Sequence, residues 1–158
     1  DPAALKTEVQ SIVSSNRTYA FFMPKIAVLS TAERILTVAE QMEIVSGKLE
    51  TRIAEAEAAG QDVSAWEASL GQMDIKIANA QSQAENALAL VIPLTVEGYP
   101  ENKTSLVNAR TMLKTSMTDL MAAKKMSRSI MQELKTSSSA AVPTSPATSV
   151  LSPTEASQ

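Results

Sequence analysis

Val28-Leu29-Ser30-Thr31-Ala32-Glu33-Arg34-Ile35-Leu36-Thr37-Val38-Ala39-Glu40-Gln41-Met42, continued through Ser46, Leu49, Ile53 and Ala56, places an apolar or small residue at alternating steps of four and three. That spacing keeps one stripe of a helix turned toward a neighbouring helix. Two more stretches repeat it. One runs Val63, Trp66, Leu70, Met73, Ile77, Ala80, Ala84, Ala87, Val91, and the other Leu106, Ala109, Leu113, Ser116, Leu120, Ala123, Ser127, Ile130, Leu134. Large and small residues alternate along these tracks, so that backbones can approach closely where Ala or Ser falls. The seam is expected to rest on Ala32, Ile35, Ala39, Met42, Leu49, Ile53, Trp66, Leu70, Met73, Ile77, Leu113, Leu120, Ala123 and Ile130.

Punctuation divides the tracks into helices. Gly60 is a natural C-terminal stop, and Asp62 or Ser64 can cap the next helix, Ser64 forming a capping box with Glu67. Pro93, Gly98 and Pro100 mark a loop before a last helix capped by Asn102 or Thr104 and ending near Lys135. So short a link at residues 60–63 sets the first two helices antiparallel. At the N-terminal side, Leu5, Val9, Ile12 and Val13 read as a short amphipathic helix docked on the bundle, with Pro24 kinking or starting the first long helix. The fold expected is all-α: an elongated antiparallel bundle of three long helices plus a short N-terminal helix. Residues 1–135 form the bundle. Residues 136–158, with 11 Ser or Thr and three Pro, read as a flexible tail or linker.

Composition excludes more chemistry than it suggests. Among 158 residues there is no His and no Cys, which removes the commonest general base, the usual zinc ligands and any thiol nucleophile. The carboxylates Glu33, Glu40, Glu43, Glu50, Glu55 and Glu57 lie off the apolar track, and without Glu-x-x-His pairs they do not form the di-metal site that helical bundles can carry. The four glycines make no phosphate-binding turn or nucleophile elbow. No catalytic residue, cofactor or metal is expected, and the chain is read as no enzyme. No run reaches the roughly 18 apolar residues of a membrane span; any anchor would lie outside this sequence.

Charge is divided among the helices. Residues 29–60 carry six acidic and three basic side chains and residues 61–97 five and one, whereas residues 101–135 carry three acidic and seven basic. A basic helix beside two acidic ones is expected to pair across the seam. The surplus is too small, and the motifs are absent, for nucleic-acid binding. A protein partner or self-association remains as the interaction to look for. Its candidate patch is Tyr19, Phe21 and Phe22, with Met117 and Met121 from the Met-rich last helix, although aromatics here more readily form a plug at one end of the bundle and Met more often fills gaps.

Tyr19-Ala20-Phe21-Phe22-Met23-Pro24-Lys25-Ile26, then Ala32-Glu33-Arg34-Ile35, Lys48-Leu49-Glu50-Thr51-Arg52-Ile53 and Ala58-Ala59-Gly60-Gln61-Asp62-Val63-Ser64, resemble a family of uncharacterised exported helical-bundle proteins of candidate phyla radiation bacteria. The resemblance covers roughly residues 15–135. It implies export and a helical bundle, followed in some members by a low-complexity tail and an anchor, and it brings no catalytic residue. The function expected is an extracellular or cell-surface structural module, a stiff bundle. A bundle that opens for a lipid or an amphipathic peptide, or a self-assembling filament subunit, are the other expectations. A start at Asp1-Pro2 fits removal of a signal peptide and equally a piece of a longer chain.

Overall fold

A computed structural model describes residues 2–99 and 101–140. Three helices account for nearly all of them: α1 (Pro2–Ala58), α2 (Ser64–Val91) and α3 (Asn102–Ala140). All three pairs of helices pack against one another. The core is a line of aliphatic side chains and alanines on the three tracks, from Phe21, Val28 and Ala32 at one end to Ile53, Leu70 and Ile130 at the other. Ala32, Ala39, Ala80, Ala84, Ala87, Ala109 and Ala123 have no exposed surface at all. A methyl group sealed so completely means that the neighbouring backbones come close, which is what small seam residues permit. Of the residues expected in the seam, Trp66 alone is half-buried rather than buried. Its ring is too large to vanish between two helices, and its indole Nε1 reaches outward to donate to Glu133 Oε2 at 2.9 Å.

The first helix differs from the expectation. The short N-terminal helix is not a separate element: α1 is continuous from Pro2 to Ala58 and carries Pro24 in its interior. Proline there cannot donate to the carbonyl of Ala20, so one rung of the ladder is lost. Phe21 and Val28, both 1% exposed, hold the helix to the bundle on either side of that gap and offset the lost bond. Nor does the segment dock. Leu5, Val9, Ile12 and Val13 are all exposed. So is the bundle-facing track, which followed back from Phe21 passes through Ser14, Ser11 and Thr7, because α2 ends level with Lys25 and α1 runs on past it.

The α1–α2 turn is a Schellman motif. Gly60 takes φ of +81°, its N–H donates to Glu57 O at 2.8 Å, and the N–H of Gln61 donates to Ala56 O at 3.1 Å. The expected capping box does not form. Val63 is the N-cap residue of α2 and makes no side-chain cap. Ser64 instead donates both its N–H, at 3.1 Å, and its hydroxyl to Asp62 Oδ1. At the other end the loop 92–101 is held by Asn102, whose N–H donates to Gly98 O at 2.9 Å and whose Nδ2 donates to Thr95 O at 2.6 Å. Gly98 leaves room for that side chain, since a Cβ would stand 2.7 Å from Asn102 Nδ2 and would have to displace it. The last helix runs to Ala140, past the boundary expected near Lys135; the rest of the expected tail, residues 141–158, lies outside the described residues.

Candidate interaction surfaces

The aromatic segment at residues 19–22 is split by helical geometry. Phe21 is buried in the core and is no part of a surface patch. Tyr19 and Phe22 are exposed on either side of it, the two Phe rings meeting edge to face with centroids 5.3 Å apart. Successive residues on a helix point about 100° apart, so three aromatics in four positions cannot share one face. Met117 and Met121 are also exposed, but they stand on α3 beside Asp119, which is bound to Lys76 in the middle of α2. Tyr19 stands beside Arg17, which is tied to the loop at Tyr99. From Asn102 to Met117 is about 22 Å of helix. The expected patch is therefore two separate sites.

Lys25 is a structural contact that sequence reading missed. Its ammonium lies over the ring of Phe21, 5.6 Å from the centroid, and donates to Ile92 O at 2.9 Å and Leu94 O at 2.8 Å. These carbonyls close the C-terminal end of α2, where a cation is favoured by the helix dipole. Arg17 donates to Tyr99 O further along the same loop. Two cations of α1 thus clasp the α2–α3 loop, and nothing in the sequence signals it except two basic residues eight apart near a Pro.

Cross-helix polar links differ in sense from the charge expectation. The ion pair among the described residues joins Lys76 Nζ to Asp119 Oδ1 at 2.8 Å, which places the cation on the acidic helix and the anion on the basic one. Lys103, Arg110, Lys114, Lys124, Lys125, Arg128 and Lys135 are all exposed. Neutral donors make three further bridges among the described residues: Ser46 to Asp74, Gln81 Nε2 to Glu43 Oε1 at 2.8 Å, and the Trp66 indole to Glu133. Along these links residue numbers rise on α1 as they fall on α2, from Lys25 at Ile92 to Ser46 at Asp74.

An open groove of about 960 Å³ lies between α1 and α3 beside the Gly60 turn. Leu49, Ala56 and Leu134 are among its apolar lining, and Lys48, Arg52 and Lys135 are its cations. Nearby, the side-chain oxygen of Gln61, itself part of the lining, is buried with no hydrogen-bond partner. The lining pairs apolar area with these three cations, the Glu55 carboxylate and the hydroxyls of Thr51 and Ser137. Two carboxyls are perturbed, and both are exposed. Hydrogen bonds from the Ser64 hydroxyl and N–H hold Asp62 below the ordinary range, and Glu97 is lowered by its own backbone N–H, by the Thr95 hydroxyl and by the charge of Arg17. Among the described residues no group of three or more carboxylates could hold a metal ion, and no helix is long and apolar enough to cross a membrane. No family model, curated protein or solved structure matches this chain.

Proposed function

We propose that this protein is a non-enzymatic structural module, an elongated antiparallel helical bundle that acts as a stiff spacer at the cell surface after export. The observation that carries the reading is the sealed small-residue seam. Seven alanines without exposed surface leave the three helices no interior space to open around a ligand. A rod built this way transmits position rather than chemistry. Its length follows from α1, whose 57 residues span about 86 Å at 1.5 Å each. Export and surface placement rest on the family resemblance of residues 15–135.

Small-angle scattering tests the rod. A longest dimension near the length of α1, unchanged by added phospholipid, supports it; a much more compact particle overturns it. Protease treatment of intact source cells tests the location, since a surface module is cleaved while cytoplasmic proteins survive.

A second reading has its own observation. The groove at Leu49, Ala56 and Leu134 with Lys48, Arg52 and Lys135 around it matches an anionic amphiphile, an apolar chain below and a negative group above. Native mass spectrometry of the purified protein decides between them. A near-stoichiometric adduct lost in Arg52→Glu would replace the spacer with a lipid- or peptide-binding bundle.

A further inference from the structure

We propose that residues 5–26 of α1 form a parallel, in-register two-stranded coiled coil with a second copy of this chain. The spacer role does not depend on it, since a monomeric rod would remain a rod.

The inference begins from a second stripe on α1. Leu5, Val9, Ile12, Asn16, Tyr19, Met23 and Ile26 follow one another at steps of four, three, four, three, four and three. The six apolar members are 52–72% exposed. This stripe is two residues out of phase with the buried track at Phe21 and Val28, about 200° around the helix, and so lies on the face turned away from α2 and α3. A heptad-spaced line of large side chains facing water for about three turns of the repeat is a seam without its partner. The helix itself needs one, because an unsupported segment of this length is marginal in water, and residues 2–17 of α1 have every side chain exposed.

The identity of the occupant follows from the order of residues. Writing the repeat with Val9, Asn16 and Met23 at the first position places Leu5, Ile12, Tyr19 and Ile26 at the fourth. Val9 at the first position and Leu5 at the fourth suit a parallel pair, Ile12 and Ile26 at the fourth do not, and Asn16 decides between them. Asn16 is the one polar member. Against an apolar face of another protein its amide would be buried without partners. Against Asn16 of an identical helix in register the two amides pair, which fixes both orientation and alignment; in an antiparallel pair the first position faces the fourth, and that match is lost. The flanks agree with a close approach: Val13 and Phe22 add apolar surface beside the seam, and Ala20 and Ala27 keep it narrow. Pro24 is half-buried on the bundle side and does not enter the stripe.

Sedimentation equilibrium on the full chain reads the result. The expected mass rises with concentration from that of one chain, 16.8 kDa, to twice that value and no further. Ile12→Asp, at an exposed position, keeps the mass at one chain throughout while circular dichroism shows the same helical bundle. Asn16→Val tightens association at least tenfold and admits larger species, as loss of a buried polar pair in the seam must. Orientation is read from cross-linking, which the absence of native Cys makes clean. Leu5→Cys oxidises to a disulfide-linked dimer by itself, and an equimolar mixture of Leu5→Cys and Ile26→Cys gives the two homodimers and little mixed product. A single-chain mass at every concentration overturns the proposal, as does a dimer that Ile12→Asp leaves intact. Predominant mixed product overturns the parallel arrangement.

Discussion

Two halves of one helix carry the same kind of pattern and meet different surroundings. From Phe21 to Ile53, α1 turns a heptad track onto α2 and α3 and buries it. From Leu5 to Ile26 it carries a track of equal regularity on the opposite face and leaves it in water. Periodicity therefore specifies that a face exists and says nothing of what covers it. Phase decides that where α2 and α3 lie alongside: there a stripe in register with the seam joins the core and a stripe two residues off is carried away from it, whereas residues 2–17 are exposed on every face. The two overlap between residues 21 and 26, so that Phe21 is sealed while Met23 and Ile26 are open.

The largest expected effect sets these two faces against each other. Phe21→Ala removes a ring that is 1% exposed and should destabilise the bundle by about 3–5 kcal/mol. Ile12→Ala, at a side chain already 68% exposed, should cost the isolated chain less than about 0.5 kcal/mol. Reversible urea unfolding of each at low protein concentration, where chains are single, checks the contrast. Similar losses from both would mean that the N-terminal third is packed after all. The seam itself is probed next. Ala39→Leu and Ala123→Leu put three extra carbons where no surface is exposed, at about 1–3 kcal/mol each. Glu40→Gln, exposed and next to Ala39 on the same turn, should stay within about 0.5 kcal/mol. If both Leu variants were as stable as the parent, the tracks would not be in close contact.

Much of this was legible in the residues because steps of three and four translate directly into a buried line. Phe21 was legible too: it lies one heptad before Val28, and continuing the first track backward reaches it. Reading it with Tyr19 and Phe22 as an aromatic cluster ignored the 100° between neighbours. The N-terminal segment was assigned a docked position because its own periodicity is amphipathic, although Thr7, Ser11 and Ser14 on the extended seam line already argue against docking. Pro24 reads locally as a boundary, and packing on both sides of it overrides that local rule. The clasp of Lys25 and Arg17 on the α2–α3 loop could not be read at all. It depends on where carbonyls of an irregular segment point, and no side-chain pattern encodes that.

The closing turn supplies a smaller test. Gly60 holds φ of +81°, and no atom stands within 4 Å of where a Cβ would go. Gly60→Ala should therefore cost only the strain of the left-handed backbone, about 1–2 kcal/mol. Because the turn joins α1 to α2 at the packed end, the loss should appear as faster amide exchange through Val28–Ile53 and leave residues 2–17 unaltered. Equal acceleration in both segments would show that they unfold as one unit, and the division of α1 drawn above would fail.

The smallest effect belongs to Asp62. Its carboxylate accepts from the Ser64 N–H and hydroxyl, and those bonds lower its pKa in the folded chain. A group whose folded pKa is depressed contributes stability above its unfolded pKa, and that contribution is lost as pH falls through the folded value. The window therefore lies below about pH 4, the ordinary carboxyl range, and stability from this source is flat at neutral pH. Full exposure keeps the contribution small. Asp62→Asn retains an oxygen that Ser64 can reach and removes the charge, so it should behave at neutral pH as the parent does in acid, whereas Asp62→Ala loses the acceptor as well and should be the less stable of the two. Unfolding curves of the three proteins at neutral pH and near pH 3 measure the order. A parent whose stability relative to Asp62→Asn did not fall on acidification would show that the turn at Ser64 is held by backbone geometry alone. The packed end of α1 would then owe its firmness to the seam and the Gly60 motif, with no electrostatic part.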